Sequence, residues 1–362
     1  MSGSRKTVMV GLSGGVDSSV AAYLLKEQGY VVVGATMEIF NAALPFHASG
    51  KDACYGPGEK EDVASAASVC RRLKIPFHTI DLKEEYQSFV LDYFRREYLD
   101  GRTPNPCIVC NQKVKFGFLL EKASAAGIRF DAFATGHYAR VQKSGAHYLL
   151  KKAVDALKDQ TYFLYGLSQK QLSRTLFPLG ELRKQEVREI AFSIGLDTAG
   201  RAESQDFIAG GDYSPLFKPG EIRPGDIVDE TGKVLGRHPG IVYYTVGQRR
   251  GLGIASRHRL FVRQIDPDNN RIVVSEKEQL YAKRLIAAQL NLIGMEKLEE
   301  SCRVTAKIRL RHPGAEATVY PHGNDTIELA FDRPQESVTP GQSVVFYRDD
   351  LVLGGGVIQQ AL

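Results

Sequence analysis

Two short stretches of this chain carry side chains whose types and spacing suit chemistry. The first is Gly11-Leu12-Ser13-Gly14-Gly15-Val16-Asp17-Ser18-Ser19. It follows the apolar run Thr7–Leu12 and precedes Val20, Ala21, Leu24 and Leu25 at helical spacing. A strand that turns directly into a helix leaves unpaired N–H groups and the positive end of the helix dipole at the turn, where an anion is stabilised. Glycines let the backbone come close to that anion. Gly11, Ser13, Gly14, Gly15, Ser18 and Ser19 offer that geometry, which makes this a phosphate loop. It has no Gly-Lys-Ser/Thr element, so it is not the loop type that holds a γ-phosphate with a lysine.

The second stretch is Gly101-Arg102-Thr103-Pro104-Asn105-Pro106-Cys107-Ile108-Val109-Cys110-Asn111. Two prolines stiffen it. Cys110 opens the helical run Asn111–Gly127, with Lys113 and Lys115 close by. A helix N-terminus and nearby cations both lower a thiol's pKa and favour the thiolate. That suits a nucleophile, a sulfur carrier or a metal ligand. No second Cys-x-x-Cys stands nearby, as a structural zinc site would require. The five cysteines form an odd count in a long chain, which argues against a disulfide framework. Cys70 lies inside a helical pattern and is expected in the core.

The elements that must position these stretches alternate. Tyr30–Thr36 reads as a strand, Glu61–Leu73 as a helix, Pro76–Leu82 as a strand, Lys83–Tyr98 as a helix and Asp131–Thr135 as a strand. This order predicts an α/β fold, a doubly wound parallel sheet over roughly the first 200 residues. The Gly-, Pro- and Asp-rich segment Ile208–Pro219 reads as a linker. Residues 220–275 hold short strands broken at Pro224-Gly225, Thr231-Gly232 and Pro239-Gly240, and 283–362 read as a small β-barrel. The division expected is 1–207 catalytic, 208–278 a small mostly-β central domain, and 279–362 the barrel.

Composition adds bounds. With 43% hydrophobic and 25% charged residues the chain is an ordinary globular sequence. No apolar run approaches the roughly 20 residues of a membrane helix, and no secretory signal opens the chain, so a cytoplasmic protein without a membrane partner is expected. Residues 201–362 hold equal numbers of basic and acidic side chains, so the net charge of +5 lies in 1–200, compatible with a polyanionic partner. Arg303–Arg311 alternates strictly. As a strand it would place Arg303, Lys307, Arg309 and Arg311 on one face, able to neutralise phosphates.

Ser13–Ser19 resembles the loop of the N-type ATP pyrophosphatases, which cleave ATP to AMP and pyrophosphate. Other segments extend the likeness: Gly101–Gly117, Ala134–Arg140, Lys158–Tyr162, Glu203-Ser204-Gln205-Asp206 and Tyr244–Gly253. Together they resemble the tRNA-specific 2-thiouridylase family over essentially the whole chain. The resemblance implies that ATP with Mg2+ binds at Gly11, Leu12, Ser13, Gly14, Gly15, Val16, Asp17 and Ser18, with Met37 near the adenine and the Gly136 amide on ATP. It implies that the C2 oxygen of a tRNA wobble uridine is adenylated and a sulfur nucleophile then displaces AMP. Cys110 matches the nucleophile, with Cys107 and Asp17 as further catalytic candidates. Asn105, Pro106 and Cys107 match the loop that meets the target base. His137, Lys158, Asp159, Gln160, Arg309, Leu310 and Gln342 match tRNA contacts, and the central domain is implied to bind tRNA. The sulfur donor would be a cysteine desulfurase, a sulfur-relay protein or free sulfide.

Two positions depart from the family pattern. Many members have an aspartate where Cys107 stands, and a second catalytic cysteine where Ile208 stands. Two sulfur routes therefore stay open. In one, Cys110 carries a persulfide that Cys107 or Cys54 resolves. In the other, favoured at this level, Cys54, Cys107 and Cys110 ligate a 4Fe–4S cluster whose fourth iron holds hydrosulfide. Cys54 sits in a turn-rich loop after the second strand, and sites of open α/β sheets gather at strand C-termini. The rival readings are another adenylating ligase, which needs no cysteine loop, and a tRNA-binding protein without catalysis, which needs no phosphate loop.

Overall fold

The apolar run after Lys6 forms the central strand of a parallel sheet. In the computed structural model, which describes residues 5–44, 46, 53–196, 206–208, 211–323 and 325–362, this is β1 (Thr7–Gly11). Glu203, Ser204 and Gln205, used above, and positions 209 and 210 of the expected linker lie outside the described residues. Val8, Met9 and Val10 are fully buried, as a strand covered by helices on both faces must be. The other strands are β2 (Val31–Glu38), β3 (Ala53–Tyr55), β4 (Phe77–Asp81), β5 (Ala132–Thr135), β6 (Arg140–Ser144), β7 (His147–Lys151), β8 (Thr175–Leu176) and β9 (Asp206–Ile208). The main sheet runs β4-β2-β1-β5-β8, every pair parallel.

Two helices follow from period 3.6. In α1 (Val16–Glu27) the buried residues include Val16, Val20, Ala21 and Leu25. In α2 (Glu59–Leu73) they are Ala66, Val69, Cys70 and Leu73, one stripe at helical spacing. Cys70 is 1% exposed and belongs to the core, as expected. The helix expected over Lys83–Tyr98 is present but wound wide between Gln87 and Leu91.

By its internal contacts the chain forms two units. One comprises Met1–Val90, Cys107–Pro215 and Asp350–Val352, and the other Leu91–Pro106, Leu216–Asp349 and Leu353–Leu362. The second unit contains a four-stranded sheet of β10 (Gly225–Val228), β11 (Val234–His238), β12 (Phe261–Asp266) and β13 (Arg271–Ser275), in the order β11-β10-β13-β12. Tyr98 and Leu99 pack against its core. After it come β14 (Tyr281–Asn291), β15 (Cys302–Lys307), β16 (Ala315–Pro321), β17 (Thr326–Glu336), β18 (Ser343–Arg348) and β19 (Leu351–Ala361). They run β14-β17-β16-β15-β18-β19, and β14 pairs back with β19 to close a six-stranded barrel. Closure removes the free edges an open sheet would expose. The strand expected over Arg303–Arg311 stops at Lys307. Arg309 begins a turn, where the His312 amide bonds back to its carbonyl. The expected basic face therefore reaches only Arg303 and Lys307, without Arg309 and Arg311, and Arg303 is held by Asp332 at 2.7 and 2.8 Å.

No helix among the described residues is long and apolar enough to cross a membrane.

Candidate active site

The phosphate loop sits where β1 ends. Gly11 pairs with Ala35 on one side and Thr135 on the other, at the C-terminal edge of the sheet. The loop is held from within and from behind. The Ser13 amide donates to Ser18 Oγ at 3.2 Å, and Ser18 and Ser19 hydroxyls donate to the Gly15 carbonyl at 3.2 and 2.8 Å. Gly14 has φ +75°, and a Cβ there would lie 2.7 Å from the Asp62 carbonyl, so α2 approaches too closely for any other residue. Ser65 of α2 also donates to the Gly14 carbonyl at 3.0 Å. Gly15 stands at the cap of α1 with no side chain to satisfy the first amides. Leu12 and Val16 are buried, so their contribution to a ligand is through backbone only. Met37 is half-buried at the end of β2, opposite Ile80 of β4.

Asp17 is paired with a cation. Its two carboxylate oxygens take the Lys184 ammonium at 2.7 and 2.8 Å, and Oδ1 also accepts the Tyr138 hydroxyl at 2.9 Å. Gly136 lies against the same turn, where a Cβ would be 2.5 Å from the Ser18 amide nitrogen.

The thiols gather in the first unit. Pro106–Val109 forms one helical turn, and Cys110–Phe118 continues as a π-helix. In a π-helix the amide bonds to the carbonyl five residues back, and such stretches recur at functional sites. Gln171 supports this winding by donating to the carbonyls of Gln112 and Phe116 at 2.8 and 3.0 Å. In an α-helix Lys115 would lie roughly 140° around the axis from Cys110. The wider winding brings it back toward the Cys110 side, and Lys115 lowers the pKa of Cys110, Cys107, Cys54 and His137 alike. Tyr86 lies within electrostatic reach of all three thiols and stacks on Tyr55, ring centroids 5.4 Å apart and 3° from parallel.

The expectation of a depressed thiol pKa does not hold. Burial dominates, and it pushes Cys110 up to about 11 against the pull of Lys115. Burial and the neighbouring thiols Cys54 and Cys110 push Cys107 up to about 12. Cys54, exposed at its surface in β3, is raised too by the protein around it. β3 pairs with β9, placing Tyr55 opposite Ile208. Ile208 is fully buried, so hydrocarbon fills that position. The three thiols are near one another, yet among the described residues no group of three or more His, Cys, Asp or Glu side chains is arranged to hold a metal ion. A 4Fe–4S cluster takes one thiolate on each of three irons, so its ligands stand farther apart than those of a single ion, and Cys54, Cys107 and Cys110 stay its candidate ligands.

The remaining candidates take varied places. His137 is held neutral by burial, its Nδ1 2.7 Å from Thr135 Oγ1 and its ring packed against those of Phe116 and Phe177. Asp159 accepts from the Ala153 amide and the Thr161 hydroxyl and braces its own loop, while Gln160 accepts from the Tyr138 amide and ties that loop to the turn after β5. Lys158 is half-buried beside Leu157, which is 96% exposed. In the second unit, Gln342 donates to the carbonyls of Thr103 and Pro104 at 3.2 and 3.1 Å. It thereby fixes the residues that lead into Asn105, itself buried with its amide on the Tyr93 hydroxyl, and Pro106. Arg309 donates to the Glu336 carbonyl at 3.1 Å, and Leu310 is exposed.

Two features escaped the sequence reading. Lys184 is one, since nothing local links it to Asp17. The other is the segment from Thr245 to Leu260, which has four arginines and no acidic residue. Arg249 and Arg259, with His258 and Ser256, line an open pocket of about 220 Å³. Arg249, Arg250, Arg257 and Arg259 are exposed and form no ion pair among the described residues. The even charge of residues 201–362 as a whole concealed this local excess.

Comparison with known proteins covers the same three parts. A family model described as a tRNA methyl transferase HUP domain matches residues 6–209, a tRNA methyl transferase PRC-barrel domain matches 217–276, and an aminomethyltransferase beta-barrel domain matches 282–358. A tRNA-specific 2-thiouridylase MnmA of Clostridium acetobutylicum is 44% identical over 360 residues, covering 98% of this chain and 100% of the relative. One of Acetivibrio thermocellus is 47% identical over 363 residues, again 98% and 100%.

Proposed function

The chain belongs to the tRNA-specific 2-thiouridylase family, and from that premise we propose that it makes 2-thiouridine in tRNA as an ATP-dependent sulfurtransferase. ATP binds at Ser13–Ser19, its phosphates on the uncapped first amides of α1 and its Mg2+ carried with them. The C2 oxygen of the wobble uridine attacks the α-phosphate, pyrophosphate leaves, and a poor leaving group becomes AMP. The observation that carries this reading is one unit that holds both a phosphate loop and three neighbouring thiols. Thiols at that place suit sulfur transfer better than the methyl transfer in the family model's description.

The sulfur step runs on this chain's own thiols. Cys110 receives sulfur as a persulfide, with Lys115 as the cation that favours its anionic form. The terminal sulfur bonds to C2 and AMP leaves. Cys107 then attacks Cys110 Sγ, breaking the S–S bond, releasing 2-thiouridine and closing a Cys107–Cys110 disulfide. An external dithiol reductant reopens it, taking up the disulfide's oxidation. The exposed arginines between Arg249 and Arg259 give tRNA phosphates a surface in the second unit. The three-part division 1–207, 208–278 and 279–362 assigns these tasks to a catalytic domain, a tRNA-binding domain and a barrel.

The test is mass analysis of nucleosides from tRNA incubated with the enzyme, ATP and a persulfide donor. We expect 2-thiouridine with wild type. Cys110→Ser abolishes it while pyrophosphate release persists. Thiouridine formed by Cys110→Ser at the wild-type rate would remove Cys110 from the mechanism.

A further inference from the structure

Asp17 lies in the first turn of the helix that would receive the triphosphate, where its charge suits the helix dipole but opposes the bound phosphates. A carboxylate beside an anion site repels the anion unless something cancels it. Lys184 does so. Its ammonium contacts both Asp17 oxygens, at 2.7 and 2.8 Å, across 167 residues of sequence. Lys184 is 8% exposed and opens the helix Lys184–Ser193, where its own amide donates to Asp155 at 2.9 Å. The ammonium also lies 5.8 Å from the centre of the Tyr138 ring, whose hydroxyl donates to Asp17 at 2.9 Å. Asp17 thus has a cation on both oxygens and a hydroxyl on one. A divalent ion could reach that carboxylate only by displacing a buried ammonium.

We propose that Lys184 is a positioning residue for the nucleotide site: it neutralises Asp17 and ties the first turn of α1 to the helix Lys184–Ser193, so that Asp17 anchors the phosphate loop instead of ligating metal or taking part in the chemistry. The inference rests on the reading of Ser13–Ser19 as an ATP site. It assigns the two residues as a pair whose net charge, not either charge alone, sets ATP affinity.

The test compares wild type, Asp17→Asn, Lys184→Met, Lys184→Arg and the double variant Asp17→Asn/Lys184→Met. ATP binding is measured directly, and the KM for ATP and kcat are taken from pyrophosphate release with tRNA. Lys184→Met leaves a carboxylate facing the phosphates, and the KM for ATP rises on the order of tenfold or more, with kcat changed far less. Lys184→Arg restores most of the affinity. The double variant binds ATP more tightly than Lys184→Met, because removing the second charge relieves the first. That neutral pair also keeps the test sound if Lys184→Met alone folds poorly. A double variant as weak as Lys184→Met, or an Asp17→Asn enzyme that loses kcat at unchanged KM, would overturn the proposal. Wild type that fails to bind ATP at all would instead strike the reading of the loop.

Discussion

Gly136 and Ser18 are in backbone contact: a Cβ on Gly136 would stand 2.5 Å from the Ser18 amide nitrogen and 2.6 Å from the Asp17 carbonyl carbon. The turn after β5 is therefore the wall against which the start of α1 rests. Gly136→Ala must push that turn away, at a cost of about 1–3 kcal/mol for an overpacked contact. We expect a lower melting temperature and a KM for ATP raised by about tenfold. An alanine enzyme with wild-type KM for ATP would mean the contact does not set the loop.

The thiol environment predicts an alkaline profile. Cys110, held up to about 11, is a thiol at pH 7, and iodoacetamide reacts with thiolate. Alkylation of Cys110 in the resting enzyme should be slow at pH 7 and accelerate by about tenfold per pH unit toward pH 11. Lys115→Met removes the main influence that lowers this pKa and moves the profile further alkaline. Half-maximal alkylation near pH 8 would contradict the burial argument.

The same shift bears on stability. Cys110 has a folded pKa raised above the ordinary thiol value of about 9, so the folded state prefers the proton. That contribution is complete below about pH 9 and is lost as pH rises through about 11. Urea unfolding midpoints should fall over this window, and the fall should be shallower in Cys110→Ser. An equal fall in both would assign the loss to other groups.

Replacing Arg249 and Arg259 together by Gln should weaken tRNA binding while leaving the KM for ATP unchanged. Each lost phosphate contact lowers the slope of log affinity against log salt by roughly one. A filter-binding series over salt concentration reads this directly. An unchanged slope would place the tRNA elsewhere.

Purification without oxygen, followed by iron and sulfide analysis and a visible spectrum, tests the sulfur route. The persulfide mechanism predicts active enzyme without stoichiometric iron. A broad absorption near 400 nm that grows with activity, about four irons per chain, would assign the step to a cluster.

Much of the fold was legible because it is written in local period. Val8–Val10, the stripe Ala66-Val69-Cys70-Leu73 and the Gly-rich turn at Gly14 each state their element within a few residues. The site was legible only where chemistry is also local, as in Ser13–Ser19 and Cys107–Cys110. The Asp17–Lys184 pair is a tertiary fact with no local trace. The thiol pKa was misjudged for a similar reason: nearby lysines are visible in sequence, but the burial that outweighs them is not. Arg303–Arg311 failed differently, since strict alternation does not say where a strand must turn, and this one turns after Lys307.

The winding of Cys110–Phe118 limits how this protein can be engineered for robustness. Consensus design would fill the stretch with strong α-helix formers such as alanine, and the chain would gain thermal tolerance. The tighter coil would carry Lys115 out of register with Cys110, and the carbonyls of Gln112 and Phe116 would no longer meet Gln171. Such a variant could melt later and crystallise better while thiolating more slowly. A thermal-shift screen would reward it; only turnover would reveal the loss.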